Sequence, residues 1–209
     1  MIPVNILAVR YLPGADPGLS KALGASAGHS SLGILTTDCD DATYIALDAA
    51  TKEADVEVAY ARSFYAGAAN ASTPNAGEVI GILAGASPGA VRSGMDAAIA
   101  QLRRVSFEEV NGVPYLAHTV SAVGTYLSRE ADVPVGSAIA YLIAPPLEGM
   151  YAMDAALKAV DVKLCKLYAP PSETNFGGGL LSGTQSACEA ACRAFSEAVA
   201  EVAGRPYAP

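Results

Sequence analysis

The chain has 209 residues, 52% of them apolar and only 16% charged, with a formal net charge of -8. Binding to nucleic acid needs clustered Lys and Arg to meet phosphate, and no such cluster occurs, which argues against that class of partner. So few charges leave much of the surface uncharged, which favours self-association, and an acidic face suits cations or amines.

The four cysteines, Cys39, Cys165, Cys188 and Cys192, show no Cys-x-x-Cys spacing and read as small packing residues of a reduced protein. His29 and His118 lie in no metal-ligand pattern, so no metal and no cofactor are expected. The N-terminus lacks a basic segment followed by an apolar core, and no run approaches the roughly 18 apolar residues of a membrane span. A soluble, cytoplasmic protein is expected.

Alternation predicts a first strand over Val4 to Tyr11, then a Pro-Gly turn and a short helix around Leu19 to Leu23. Ser31 to Thr37 is a second strand, ending at Asp38-Cys39-Asp40-Asp41. Ala42 to Ala54 reads as a helix with Asp40 or Asp41 as its N-cap. Val56 to Phe64 is a strand with Val56, Val58 and Tyr60 on one face. A long loop without apolar periodicity covers Tyr65 to Gly77. Glu78 to Gly85 resumes as a strand, and Ser87-Pro88 opens a helix by cap chemistry, running to about Arg104.

The same order then returns. Tyr115 to Ser121 and Ala138 to Ala144 are strands, and Leu147 to Val160 a helix whose extended approach is forced by Pro145-Pro146. Val162 to Tyr168 is a strand, Pro170 to Gly179 a loop, Leu180 to Ser182 a short strand, and Thr184 to about Val202 a helix. Asp48-Ala49-Ala50-Thr51-Lys52-Glu53-Ala54-Asp55-Val56 recurs as Asp154-Ala155-Ala156-Leu157-Lys158-Ala159-Val160-Asp161-Val162, an offset of 106 (154 − 48). The closing helices match at an offset of 97 (184 − 87), so the register shifts inside the loop, where a duplicated fold tolerates a gap. Two α/β units, 1–109 and 110–209, are expected, joined by the short link Ser106 to Gly112. Each is a small mixed sheet with both helices on one side.

Asp-Ala-Ala-x-Lys-x-x-Asp-Val, a strand, a loop, Gly77-Glu78-Val79 and a helix resemble the bacterial microcompartment shell domain. The stretches Asp40 to Ala46, Arg62 to Ala69, Ala144 to Glu148 and Pro170 to Asn175 are similar to the ethanolamine-utilisation branch of the tandem-domain members. The resemblance implies two circularly permuted shell domains in one chain. Three chains would close a flat homotrimer that mimics a hexamer and lies edge to edge with other shell proteins, and no catalysis is expected. It places Lys52 and Lys158 along the tile edge, where stems pack and ammonium groups find carbonyls.

The resemblance also puts Asp40, Asp41 and Glu78 in a small pore, with Tyr65, Phe107 and Thr174 close by. Paired carboxylates would take the ammonium of ethanolamine or a similar metabolite by charge-assisted hydrogen bonds. Gly67 and Asn70 in one loop, and Glu173, Asn175, Phe176 and Gly177 in the other, are the candidate gates of a central pore. Cobalamin is a further partner the resemblance brings, with no recognisable signature in these residues. The competing reading is a duplicated ferredoxin-like sensor of small molecules, which has no reason to tile a plane.

Overall fold

A run such as Ser31-Leu-Gly-Ile-Leu-Thr-Thr37 is buried along most of its length, as a central strand requires. The computed structural model describes residues 1–64, 73, 75, 77–170, 172 and 174–207, which form two units. The N-terminal unit comprises Val4–Val105 with Gly124–Leu127, and the C-terminal unit Met1–Pro3, Ser106–Val123 and Ser128–Pro209. The division falls at Val105/Ser106 rather than at the expected 109/110. The reason is that the first strand, β1 (Ile2–Pro3), pairs with Ser106 and Phe107.

In the N-terminal unit the elements are β2 (Ile6–Leu12), α1 (Pro17–Ala22), β3 (Ser31–Thr37), α2 (Asp40–Glu53), β4 (Glu57–Ser63), β5 (Val79–Gly85) and α3 (Pro88–Leu102). The strands lie in the order β2-β3-β5-β4. Leu35, Ile45, Leu47, Leu83 and Met95 are fully or almost fully buried within it.

The C-terminal unit holds β6 (Ser106–Val110), β7 (Val113–Val120), β8 (Ala138–Ala144), α5 (Pro146–Ala159), β9 (Lys163–Tyr168), β10 (Gly177–Gly183) and α6 (Gln185–Gly204). Helix α4 (Thr125–Ala131) has its first residues in the N-terminal unit. The sheet order is β1-β6-β7-β8-β10-β9, packed around Tyr115, Leu142, Met153, Leu181, Phe195 and Val199.

Strands β7-β8-β10-β9 repeat the order β2-β3-β5-β4, which bears out the duplication read from the motif. Helices α2 and α5 begin at Asp40 and Pro146, again 106 apart (146 − 40). Their successors are capped by Ser87 and Thr184, 97 apart (184 − 87). Both hydroxyls accept from the backbone N–H three residues on, at 3.2 Å each. Ser87→Ala and Thr184→Ala are each expected to cost about 1 kcal/mol, read as a lower urea midpoint at unchanged slope.

Several expectations are corrected. Every described strand pairing is antiparallel, so the sheets are not mixed. The expected link Ser106 to Gly112 is β6 plus a tight turn. Asn111 and Gly112 both adopt left-handed φ (51° and 79°), joining Val110 to Val113 in a two-residue hairpin. A register shift between Val58 and Tyr60 turns Tyr60 outward, away from the face of Val56 and Val58.

The glycine run Gly177 to Gly179, expected in a gate loop, is buried β10 strand paired to β8. Glycine is required there because a Cβ on Gly178 would lie 1.9 Å from the Leu142 carbonyl oxygen, and one on Gly179 2.3 Å from that of Lys166.

Candidate functional site

The register of the N-terminal sheet assembles the acidic site. Val79 on β5 lies between Thr37 of β3 and Ser63 of β4, so the residues just past this row, Asp38 and Glu78, share one end of the sheet. The chain turns from Asp38 directly into α2. Gly77 makes the close fit possible: its φ is +65°, and a Cβ there would sit 2.1 Å from the Thr37 carbonyl oxygen. The next amide, Glu78 N–H, donates to that same oxygen at 2.8 Å, which holds Glu78 beside the start of α2.

The N-cap of α2 is Cys39, with no side-chain capping bond, and Asp40 and Asp41 occupy the first helical turn, each only 8% exposed. The expectation that either aspartate caps the helix is therefore corrected; the helix starts two residues earlier than its apolar spacing indicates. Carboxylates in a first turn are favoured by the helix dipole. Asp40 is further held by Asp41 N–H donating to Oδ1 (2.9 Å) and by Ser63 Oγ donating to Oδ2 (2.7 Å). The hydroxyls of Tyr44 and Ser63 are hydrogen-bonded in turn. Asp38 accepts from the Asn5 backbone (2.8 Å) and side-chain amide (2.7 Å).

Burial raises the Asp40 carboxyl, opposed by the Ser63 and backbone donors. Burial, with the charges of Asp40 and Asp38 adding to it, pushes Glu78 up to about 7. Cys39 is driven well above its ordinary range by burial and then by the charge of Asp41, so its thiol stays protonated at neutral pH. The site thus holds more negative charge than it can keep at once. Among the described residues no His, Cys, Asp and Glu group is arranged to hold a metal ion.

The C-terminal unit does not repeat this chemistry. At the offset of 106, Pro146 and Leu147 stand for Asp40 and Asp41, and Ala169 for Ser63. Strands β5 and β10 begin 98 apart (177 − 79), so Phe176 stands for Glu78. Its ring meets Phe107 edge-on, centroids 5.9 Å apart.

Of the expected site residues, Asp40, Asp41 and Glu78 share the N-terminal unit, and the first and last interact electrostatically. Phe107 and Thr174 belong to the C-terminal unit. Asn175, at φ 63°, and Phe176 donate their backbone N–H groups to Ser172, forming a turn beside Thr174. Tyr65, Gly67, Asn70 and Glu173 lie outside the described residues.

Lys52 and Lys158 each reach back one turn to an aspartate, Asp48 at 3.6 Å and Asp154 at 2.6 Å. The two aspartates differ sharply. Asp48 is fully buried and accepts from Gly124 N–H (2.7 Å) and Leu127 N–H (2.8 Å), whereas the side chain of Asp154 is 63% exposed. Sequence reasoning assigned no role to Tyr44, Ser63 or Asp48, although all three lie in the stretches it singled out. No local signal marks Ser63, which meets Asp40 only through strand pairing.

Two helices packed beside each four-stranded antiparallel core, repeated once, define a tandem shell-domain protein, and the BMC domain family model matches residues 31–114. The chain belongs to the EutL family of bacterial microcompartment shell proteins. It is 55% identical over 210 residues to the shell protein EutL of Clostridium perfringens, covering 99% of this chain and 97% of that one. It is 46% identical over 210 residues to EutL of Escherichia coli, covering 99% and 96%. The crystal structure of the ethanolamine utilization protein EutL from Leptotrichia buccalis superposes with a TM-score of 0.96 at 56% identity, covering 100% of this chain and 98% of that chain. No helix of the described residues is long and apolar enough to cross a membrane.

Proposed function

We propose that this shell protein forms a flat homotrimer in the cytoplasmic shell of an ethanolamine-utilisation microcompartment, each of its two units serving as one shell domain. Asp40, Asp41 and Glu78 line a small opening that takes the ammonium group of ethanolamine or a similar small amine. Tyr65, Phe107 and Thr174 are further candidate contacts for the metabolite. Gly67, Asn70, Glu173, Asn175 and Phe176 belong to the gate of a wider central pore. Lys52 and Lys158 lie along the edges that meet neighbouring shell proteins.

The observation that carries this reading is Glu78, half-buried against Asp40 and Asp38 with its carboxyl raised to about 7. A cation donating to both carboxylates relieves that repulsion. Assembly is supported by apolar side chains left exposed, Leu147 and Tyr151 one turn apart on α5 and Leu164 and Leu167 on the edge strand β9.

Sedimentation of the purified protein is expected to give three times the 21.2 kDa chain mass. Negative-stain images should show flat particles that grow into sheets. Lys52→Ala is expected to stunt the sheets and leave the trimer whole. A monomer in solution, or sheets indifferent to Lys52→Ala, would overturn the corresponding part of the proposal.

A further inference from the structure

The hydroxyl pair beside the acidic site has a fixed direction. Ser63 Oγ carries one proton and donates it to Asp40 Oδ2 at 2.7 Å. Its bond with Tyr44 must then run the other way, from the phenol to the serine oxygen. The result is a chain, Tyr44 to Ser63 to Asp40, that ends on a carboxylate. The far end of this chain is also secured. The Tyr44 ring lies against that of Tyr126, centroids 6.0 Å apart, and Tyr126 sits in the four-residue segment whose backbone N–H groups bind the buried Asp48.

Asp40 is more than nine-tenths buried, and the Ser63 hydroxyl leads the donors that offset its lost hydration, ahead of the Asp41 amide, its own backbone N–H and the Asp41 side chain. Glu78 has no comparable hydroxyl donor among the described residues. The two carboxylates are thereby given different tasks, one held as a fixed anion and the other free to exchange its proton for a ligand.

Building on the amine-binding reading above, we infer that Ser63 and Tyr44 are positioning residues of the acidic site: their hydroxyl chain keeps Asp40 ionised and aimed, and so sets the affinity for an organic ammonium without either residue touching it. Among the described residues, the titratable groups gathered about Asp40 are Asp38 and the neutral Cys39 at the end of β3, Asp41 on α2 and Glu78 at the start of β5, all of them acidic. The Asp41 side chain also hydrogen-bonds Asp40, but the Ser63 hydroxyl does more to hold the carboxyl down.

The test is calorimetric titration of the full-length protein with ethanolamine hydrochloride across pH 5.5 to 8.5, for wild type and for Ser63→Ala, Ser63→Thr and Tyr44→Phe. Ser63→Ala is expected to weaken binding roughly tenfold or more at neutral pH, the worth of one hydrogen bond to a charged group, and to move the pH midpoint upward. Ser63→Thr restores both, and Tyr44→Phe produces a smaller change in the same direction. Thermal unfolding of each variant separates these effects from loss of the fold, and Tyr44→Phe keeps the ring packing on Tyr126.

If wild type itself gives no ethanolamine heat, the amine-binding reading fails. If wild type binds and folded Ser63→Ala matches it in affinity and pH midpoint, the amine-binding reading stands and the positioning role is overturned.

Discussion

Ethanolamine affinity is expected to climb about tenfold per pH unit from about pH 5.5 towards 7, and to level off above it. The cause is Glu78, which burial and the nearby charges of Asp40 and Asp38 raise to about 7. Below that value it carries a proton, which must leave before an ammonium can take its place. Above it the carboxylate is already bare, and ethanolamine stays protonated throughout. Glu78→Gln removes the exchange, so its binding is expected to be flat with pH and weaker at pH 8 by about 2 kcal/mol, roughly thirtyfold.

Stability supplies an independent reading of the same group. Glu78 holds its proton to higher pH in the folded state than its ordinary 4.5, so its contribution is full below pH 4.5 and is lost as pH rises towards 7. Thermal unfolding of wild type should decline across this window more steeply than that of Glu78→Gln. Wild-type binding that is indifferent to pH would refute the assignment.

The second large effect lies at Asp48. Its carboxylate is fully buried, accepts from two backbone N–H groups at 2.7 and 2.8 Å, and faces the Lys52 ammonium at 3.6 Å. Asp48→Ala strips two N–H groups of their acceptor and removes the carboxylate that faces Lys52. A loss of about 3–5 kcal/mol is expected, as for other broken buried charge networks, visible as a fall in Tm and urea midpoint.

Asp154 is the built-in control. It stands at the matching position of the repeat, pairs with Lys158 at 2.6 Å, and is mostly exposed, so Asp154→Ala should cost no more than about 0.5 kcal/mol. Equal losses at the two positions would contradict this account of the repeat.

That contrast marks where the sequence was legible and where it was not. Strands β3 and β8 are legible to the residue: β8 is a continuous apolar run, β3 has the apolar centre Leu32 to Leu35, and turn chemistry bounds both. The hydroxyl caps Ser87 and Thr184 were also visible, since serine or threonine before a helix has a local purpose. The repeat itself, however, gave Asp48 and Asp154 one identity. Their environments diverge because Asp48 receives a segment 76 residues further along the chain, and no local pattern announces such a partner.

Some local signals compete with one another. Val110-Asn111-Gly112-Val113 is a strong hairpin pattern, masked by its place between the two copies, where a link is the simpler expectation. Gly177-Gly178-Gly179 read as a loop by composition, whereas the glycines serve close contact between backbones inside a sheet. The acidic trio could be gathered from the family resemblance, but the hydroxyl chain could not. Ser63 meets Asp40 only through the pairing of β4 with β5 and of β5 with β3.

The path of the chain has a last consequence. It spends three residues in one unit, about a hundred in the other, returns, and lends four residues back before finishing. A gene cut at its midpoint would therefore yield no pair of spare parts. The leading fragment would lack the stretch that quenches Asp48, and the trailing one would lose the strand beside Ser106 and Phe107. Anyone wishing to recombine these halves, or to build a shell from one of them alone, must first reroute the polypeptide.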